Sequence, residues 1–439
     1  MLRFIHAADI HLDSPLRGLE RYDGAPADEI RGATRRAFDN LVQLAIAEEA
    51  AFLLLAGDLY DGDWKDYNTG LFFASRMRRL EEACIRVFLI SGNHDAASQI
   101  TRTLRPPANV TVLSTRKPET VVLQELEVAI HGQGFASAAV SDDLSTAYPP
   151  GIPHLFNIGL LHTSLDGRPG HASYAPCTAD GLRAKGYQYW ALGHVHQREV
   201  VSRDPWMVFP GVLQGRHARE AGPKGATLVT VQDRAVVGVE HRDLDVFRWA
   251  VCPVDASGAA TPGEMLDRVA VALERAVTAA EGRPVAARLT VEGACAAHGE
   301  LFAAPERWVQ ECRALALGFG GAVWIEKVRF RTRLPGTIPA AERGPSGGVG
   351  EDDALGGLLR SLRDLETDAG RQVLAELAEG FADLRRKLPP ELFEDGAEAL
   401  DPTDPEALRG VLPEVRDLLL ARLLASPGGP ASPDGAEDP

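Results

Sequence analysis

Five short motifs in the sequence contain residue types that bind divalent cations. Carboxylate, amide and imidazole groups can together hold an ion such as Mn²⁺. Taken singly, each motif is typical of a turn, a helix cap or a core position. All five in one chain are far more specific, and together they predict a metal centre. The motifs are Asp9-Ile10-His11, Gly57-Asp58, Gly92-Asn93-His94-Asp95, His162 and Gly193-His194-Val195-His196.

Each motif lies at the carboxyl end of a predicted strand. Short apolar runs such as FLLLA have the length and composition of buried strands. Open α/β sheets build their sites at this edge, so we expect the five motifs to meet there. The predicted strands are Arg3–Ala7, Phe52–Ala56, Arg86–Ile90, Phe156–Leu161 and Tyr189–Leu192.

The ligand types suit two divalent ions that share one carboxylate. A carboxylate can bridge two ions about 3.5–4 Å apart, and we predict that Asp58 does so. His194 and His196 would point to opposite faces of a regular strand, so the chain must bend there if both reach the ions. The first predicted ligand set is Asp9, His11, Asp58 and His196, and the second is Asp58, Asn93, His162 and His194.

The net charge of the 439-residue chain is −16, which does not favour nucleic-acid binding. Residues 351–439 contain 9 Lys/Arg and 21 Asp/Glu, so most of the acidity lies in a C-terminal region that need not touch DNA. Bound divalent cations can attract phosphate locally even in a negative chain. The overall charge therefore gives no positive evidence for a nucleic-acid substrate.

The N-terminal sequence MLRFIHAADIHLDS lacks the long apolar run of a signal peptide or a membrane span. The five cysteines are odd in number and form no C-x-x-C pair, which favours reduced thiols. We therefore expect a cytoplasmic protein with no membrane association.

The length of the chain predicts about two or three domains. Residues 1–247 alternate strands with amphipathic helices at 30–50 and 69–84, which predicts a layered α/β domain with a mixed sheet. The other predicted regions are a small α/β domain at 248–334, a linker at 335–350, amphipathic helices at 351–425 and a disordered tail at 426–439.

The ordered set DIH, GDLYD, GNHD, H and GHVH resembles the calcineurin-like metallophosphoesterase superfamily, over roughly the first 200 residues. The opening HAADIHLDSPLRGL and the segment PGVLQGRHARE at 210–220 are similar, more narrowly, to bacterial SbcD/YhaO-type DNA repair exonucleases. This resemblance implies a metallophosphoesterase sandwich, two bound metal ions and in-line attack of a metal-activated water on phosphorus.

The resemblance also implies roles for His94 and Asp61. The His of GNHD supports the phosphate and the leaving oxygen as a general acid, so His94 is not expected to be a ligand. Archaeal and eukaryotic double-strand-break nucleases carry a second catalytic His three residues after the GD aspartate, where this chain has Asp61. In phosphoprotein phosphatases an Asp at that position binds the GNHD-type His, so we predict that Asp61 orients His94. A turn residue is the alternative for Asp61.

Several other residues receive weaker predictions. Arg216 and His217 are candidates for binding phosphate or extending the metal shell, with a surface loop or structural pairing as the alternative. Asp13 is a candidate for supporting His11 from outside the ligand set. His6 and His131 are expected to be buried structural residues.

Three functions remain open at this level. The resemblance favours a DNA nuclease in repair, whose small α/β cap domain guides DNA and whose helices at 351–425 bind an SbcC/YhaN-like coiled-coil ATPase. A phosphatase or phosphodiesterase acting on nucleotides or other phosphoesters would use the same motifs. The third alternative is an adaptor with a structural metal centre. A self-contained helical domain is the alternative for 351–425, and a homodimer stays open.

Overall fold

The structure is a computed structural model that describes most of the chain. The predicted linker, apart from residue 335, and the predicted tail at 426–439 lie outside the described residues. The described residues are 1–14, 32–61, 67–97, 107–167, 174–335, 370–387 and 401–424, with a few positions between 357 and 367.

The first sheet has six strands and is mixed. In sheet order the strands are Ala235–Asp243 (β12), Gly225–Gln232 (β11), Leu2–Ala7 (β1), Phe52–Ala56 (β2), Arg86–Ile90 (β3) and Val110–Val112 (β4). The strand β1 pairs in parallel with β2, which pairs in parallel with β3, and β3 pairs in parallel with β4. The β11–β12 hairpin completes the sheet through antiparallel pairing of β11 with β1.

The second sheet also has six strands. From one edge to the other they are Glu119–Leu123 (β5), Val128–Gln133 (β6), Phe156–His162 (β7), Tyr189–Gly193 (β8), Trp206–Phe209 (β10) and Glu199–Arg203 (β9). Strands β6, β7, β8 and β10 are parallel, and the two edge strands β5 and β9 are antiparallel to their neighbours.

The two sheets pack face to face through an aromatic core. Phe4 of β1 stacks on Phe52 with 5.0 Å between ring centroids, and meets Tyr189 of the second sheet edge-on at 5.3 Å. Helices Ala33–Ala47 (α1) and Tyr67–Glu82 (α2) cover the other face of the first sheet. Strands such as FLLLA are therefore buried on both faces, which explains their continuous apolar sequence. The predicted layered α/β class is confirmed.

The boundaries of these elements lie close to the predicted ones. Strands β2 and β3 match residue for residue, and β1, β7 and β8 are each one residue longer than predicted. Helix α1 ends at Ala47, before Glu49 adopts a left-handed φ of 50°. Helix α2 ends at Glu82, two residues before Cys84 turns the chain at φ 59°.

A three-stranded sheet follows, in the order Arg248–Asp255 (β13), Val285–Ala294 (β14) and Val323–Arg333 (β15). Its connections contain the helices Pro262–Ala279 (α5), His298–Ala303 (α6) and Pro305–Leu317 (α7), while the short helices Asn93–Ala97 (α3) and Ala179–Arg183 (α4) belong to the layered part. The chain divides into two compact units, 1–251 with 275–288 and 319–326, and 252–274 with 289–318 and 327–439. The domain limits predicted from sequence stay predictions.

From residue 370 onward, the described part of the second unit contains the helices Arg371–Gly380 (α8), Ala382–Lys387 (α9) and Pro405–Leu424 (α10). Leu374 and Ala378 of α8 are buried against Leu408 and Leu412 of α10. An ion pair joins Arg371 and Glu406 of the same helices, at 3.6 Å. Helix α10 also packs against α6. None of the helices among the described residues has the length and apolar character needed to cross a membrane.

Candidate metal centre

The backbone bends sharply at four of the predicted ligands. Asp9, His11, Asp58 and His194 adopt positive φ angles of 51°, 46°, 54° and 101°. A non-glycine residue in this region is held there at a cost of order 1–3 kcal/mol, and such residues concentrate at functional sites. These bends follow β1, β2 and β8, and the one at His194 provides the turn expected between His194 and His196.

Glycines of the motifs leave space for the polar side chains beside them. A Cβ atom on Gly92 would lie 2.2 Å from Oδ1 of Asp58. A Cβ atom on Gly193 would lie 1.9 Å from the Ala56 carbonyl oxygen and 2.9 Å from Nδ1 of His162. Both positions need glycine because the strand ends approach each other this closely.

Three of the predicted histidine ligands are fixed through Nδ1. Carbonyl oxygens and ionised carboxylates only accept hydrogen bonds, so Nδ1 donates in each pair and Nε2 keeps its lone pair. Metal-binding histidines have this arrangement, with an outer partner that sets the tautomer and the ring orientation. The pairs are His11 with Asp61 (2.8 Å), His162 with the Ala56 carbonyl (2.9 Å) and His196 with Glu220 (2.7 Å).

The Nε2 atoms of these histidines face two buried carboxylates. Nε2 of His162 lies 3.5 Å from Oδ2 of Asp58, and Nε2 of His11 lies 4.0 Å from the same oxygen. Nε2 of His196 lies 3.8 Å from Oδ1 of Asp9. The ligand atoms of Asp9, His11 and His196 lie within 4.8 Å of one another, as do those of Asp9, Asp58 and His162. Asp58 thus lies next to histidines of both predicted sets.

The donor set fits divalent cations. Nε2 of His11 is buried and has no hydrogen-bond partner among the described residues. Oδ1 of Asn93 lies 3.0 Å from Nε2 of His162, and two lone pairs at this distance are satisfied when both bind one cation. Burial, together with the nearby Asp58 charge, raises the pKa of Asp9 well above its usual range. A cation would offset the cost of placing two carboxylates together in the interior.

His94 shares a carboxylate with His11. Nδ1 of His94 lies 3.1 Å from Oδ1 of Asp61, the oxygen that also binds His11. Burial alone would raise the pKa of Asp61, but its hydrogen bonds with His11 and His94 hold that pKa well below the usual range. The His94 side chain is 42% exposed, whereas the His11 side chain is fully buried. A ring nitrogen of His94 lies close enough to His11 and Asp58 to bind the same ion. The His94 side chain nevertheless borders solvent, where a substrate would enter.

Asp95 of the same motif has a structural role that the sequence did not reveal. Its buried carboxylate accepts hydrogen bonds from the backbone N–H groups of Leu59 (3.2 Å), Tyr60 (2.9 Å) and Gly92 (3.0 Å). It therefore ties the loop after β2 to the loop after β3. Burial and the Asp58 charge raise the pKa of Asp95 to about 7.

Arg216 and His217 lie beside the centre, next to a buried carboxylate that sequence reasoning missed. Glu220 is 4% exposed and accepts hydrogen bonds from the backbone N–H (2.7 Å) and from Nη2 (3.2 Å) of Arg216, besides Nδ1 of His196. Nε2 of His217 lies 3.6 Å from Glu220. Glu220 lies only four residues after Arg216 in the sequence. No local sequence pattern, however, indicated that its carboxylate would contact His196.

The prediction that Asp13 supports His11 is wrong. The Asp13 carboxylate binds the Arg35 guanidinium and the Thr69 hydroxyl, and the partner of His11 is Asp61. Asp13 has a φ of 60°, so the chain turns there and the carboxylate joins the start of α1 to α2.

The predictions for His6 and His131 are confirmed. Both residues are fully buried. His6 hydrogen-bonds to the Tyr189 hydroxyl at 3.0 Å, and His131 contacts Thr120 and Asn157 at 2.8 and 3.1 Å. They pack the interior of the layered unit and take no part in the centre.

Comparison with protein families agrees with this geometry. The family described as calcineurin-like phosphoesterase matches residues 2–198, which include all five motifs. The family described as metallophosphoesterase YhaO, middle domain, matches residues 249–333, the region of the three-stranded sheet. Members of the first family use divalent metal ions, as the donor set here would require.

Curated relatives extend the match to longer parts of the chain. The chain is 34% identical to the uncharacterized metallophosphoesterase YhaO of Bacillus subtilis, over 66% of this chain and 72% of that protein. It is 26% identical to the DNA double-strand break repair protein Mre11 of Sulfurisphaera tokodaii, covering 52% and 59% of the two chains, and 26% identical to that of Haloferax volcanii, covering 59% and 56%. With this degree of similarity, and with buried carboxylates and histidines at its strand ends, the chain belongs to the calcineurin-like metallophosphoesterases of the YhaO type.

Proposed function

We propose that the protein is a metal-dependent nuclease that hydrolyses DNA phosphodiester bonds in DNA repair. The observation that carries the proposal is the centre itself, where buried carboxylates and histidines that could hold a cation adjoin the half-exposed His94 held by Asp61. The similarity to repair proteins named Mre11 supports DNA as the substrate. A phosphatase or phosphodiesterase acting on nucleotides or other phosphoesters is the second candidate, because it would use the same centre.

Two divalent ions, which we propose are Mn²⁺, would be held by the mixed donors of the centre. When bound, they would supply charge stabilisation for phosphorus–oxygen chemistry and a water of lowered pKa. One ion would be held by Asp9, His11, Asp58 and His196, and the other by Asp58, Asn93, His162 and His194. The proximity of the ligand atoms of Asp9, His11 and His196 supports the first set, and the contact of Asn93 with His162 supports the second.

His94 would assist departure of the leaving oxygen. Its Nδ1 is fixed by Asp61, which leaves Nε2 as the ring atom that can face a substrate. Although burial opposes a charge on the ring, the Asp61 hydrogen bond and the Asp58 charge raise the pKa of His94. The imidazole therefore retains a proton that it can donate to an alkoxide leaving group.

We further propose that the C-terminal helices bind an SbcC/YhaN-like coiled-coil ATPase. Val373, Leu377 and Leu384 of α8 and α9 are 53%, 51% and 45% exposed. This spacing places apolar side chains along one side of the helical segment, as in helices that dock into a partner. The buried contacts of Leu374 with α10 show that the same helices also pack locally. Dimerisation of this chain would be the competing use of the exposed side chains.

The two candidate activities are separated by one pair of assays. Purified protein with Mn²⁺ is tested on linear double-stranded DNA and on bis-p-nitrophenyl phosphate, with EDTA as the control for metal dependence. The nuclease proposal expects Mn²⁺-dependent degradation of DNA. Rapid turnover of the small ester with DNA left intact would contradict it and favour the phosphodiesterase.

A further inference from the structure

The Arg216 guanidinium lies between the two carboxylates that orient metal ligands. Nη2 of Arg216 lies 3.2 Å from Oε1 of Glu220, the oxygen that accepts from His196. On its other side, Nη1 lies 3.8 Å from Oδ2 of Asp61, the carboxylate that binds His11. The Arg216 guanidinium therefore contacts both of the carboxylates that hold His196 and His11. These two histidines belong to the same predicted ligand set.

This arrangement is buried. The side chains of Arg216 and Glu220 are 13% and 4% exposed, so water and salt screen their interaction weakly. Burial alone would raise the pKa of Glu220, but Arg216 and His196 hold it well below its usual range. A planar guanidinium presents donors in a fixed fork, which suits a residue that spans two carboxylates. His162, in the second predicted ligand set, is fixed independently by the Ala56 carbonyl.

We propose that Arg216 and Glu220 are positioning residues for one of the two metal sites. Glu220 fixes the ring of His196 directly, and Arg216 holds both Glu220 and Asp61 in the places where they orient His196 and His11. This inference rests on the proposed metal centre and deepens it. It also changes the role of Arg216 from a contact to substrate phosphate into a support for the ion bound by Asp9, His11, Asp58 and His196.

The test is an Mn²⁺ titration of the protein. Binding is monitored by calorimetry and by the electron paramagnetic resonance signal of free Mn²⁺. We expect Arg216→Ala and Glu220→Ala each to weaken one of the two sites by about 10–100-fold, the usual effect of removing an outer partner of a metal ligand. The affinity of the other site should stay within about twofold, because its histidine orientation does not depend on this pair.

Conservative and combined variants sharpen the assignment. Glu220→Gln keeps an acceptor for His196 and should lose less affinity than Glu220→Ala. Arg216→Lys keeps the charge without the fork and should resemble Arg216→Ala. The double Ala variant should lose no more than the stronger single variant, because both residues act through one network.

A matched control comes from another buried pair of the same chemistry. Arg288 binds Glu326 of β15 with contacts of 2.8 and 2.9 Å, and the Glu326 side chain is 9% exposed. Glu326→Ala should leave both Mn²⁺ affinities unchanged. Melting curves in EDTA show whether each variant is folded. If Glu220→Ala does not fold, Glu220→Gln and Arg216→Lys are used for the test instead.

Two results would overturn the inference in distinguishable ways. If Arg216→Ala binds both ions normally and only raises KM for bis-p-nitrophenyl phosphate, Arg216 contacts substrate phosphate and is not a positioning residue. If the unmodified protein binds no Mn²⁺, the proposed metal centre fails, and this inference fails with it.

Discussion

The strand-end edge of the layered unit and the C-terminal helices would carry their proposed functions in different ways. At the edge, side chains far apart in sequence meet in buried contacts, such as His194 N–H with Asp9 across 185 positions. In the helices, a small cluster around Leu374 holds α8 to α10, while Val373 and Leu377 face solvent. The chemistry of a buried polar site can be inferred from the contacts within it. The role of an exposed apolar surface can be inferred only once the molecule that binds it is identified.

The largest effect is expected from loss of the carboxylate that we propose is shared by both ions. Asp58→Asn should lower the hydrolysis rate on the order of 10³-fold or more, because metal charge carries most of the barrier reduction in such reactions. Initial rates on bis-p-nitrophenyl phosphate at saturating Mn²⁺ measure the loss. Asp39→Asn is the matched control, since Asp39 pairs with Arg76 away from the centre, and it should keep the normal rate. If Asp58→Asn kept nearly full activity, hydrolysis would not depend on the strand-end edge, and the proposed centre would be contradicted.

The next effect concerns proton donation at the exposed rim of the centre. His94→Ala should keep both Mn²⁺ ions and lower the rate on DNA by about 10²–10⁴-fold. The loss should be smaller on bis-p-nitrophenyl phosphate, whose leaving group departs without a proton. Parallel rate and Mn²⁺ binding measurements test this. Loss of an ion from His94→Ala would make His94 a ligand and contradict the assigned role.

A smaller effect should appear in stability. Gly193→Ala places a Cβ atom against the Ala56 carbonyl and His162, and should lower the free energy of unfolding by about 1–3 kcal/mol. Gly263→Ala in α5 meets only Thr261 at 3.6 Å, and should be neutral or slightly stabilising. Urea denaturation followed by circular dichroism compares the two. Equal midpoints would show that the strand ends tolerate more movement than their close approach implies.

The smallest effect on hydrolysis should come from the helical surface. Leu377→Glu replaces a half-exposed side chain, so the isolated protein should keep its rate and melting temperature. Co-purification with a co-expressed SbcC/YhaN-like ATPase should be lost. Leu374→Glu places a charge in the buried cluster between α8 and α10, and should instead loosen both helices in hydrogen exchange. Normal ATPase binding by Leu377→Glu would contradict the partner proposal.

The sequence predicted the edge well because its information is local. The apolar runs predicted where the strands lie. The polar residues after each run predicted which side chains would meet at the edge. The partners of His11 and His196 could not be predicted, since they lie 50 and 24 residues away and depend on backbone bends such as the φ of 46° at His11. Asp13 binds Arg35, against the prediction, and its own φ of 60° could not be read from the sequence either. The ligand roles themselves stay predictions until ions are measured.

The central claim is a centre that works with two ions, and a single Mn²⁺ titration tests it most directly. Bound Mn²⁺ per chain and hydrolysis of DNA are measured on the same samples. The proposed mechanism predicts two ions per chain and hydrolysis that appears only as the second ion binds. Full hydrolysis with one ion or none would contradict it.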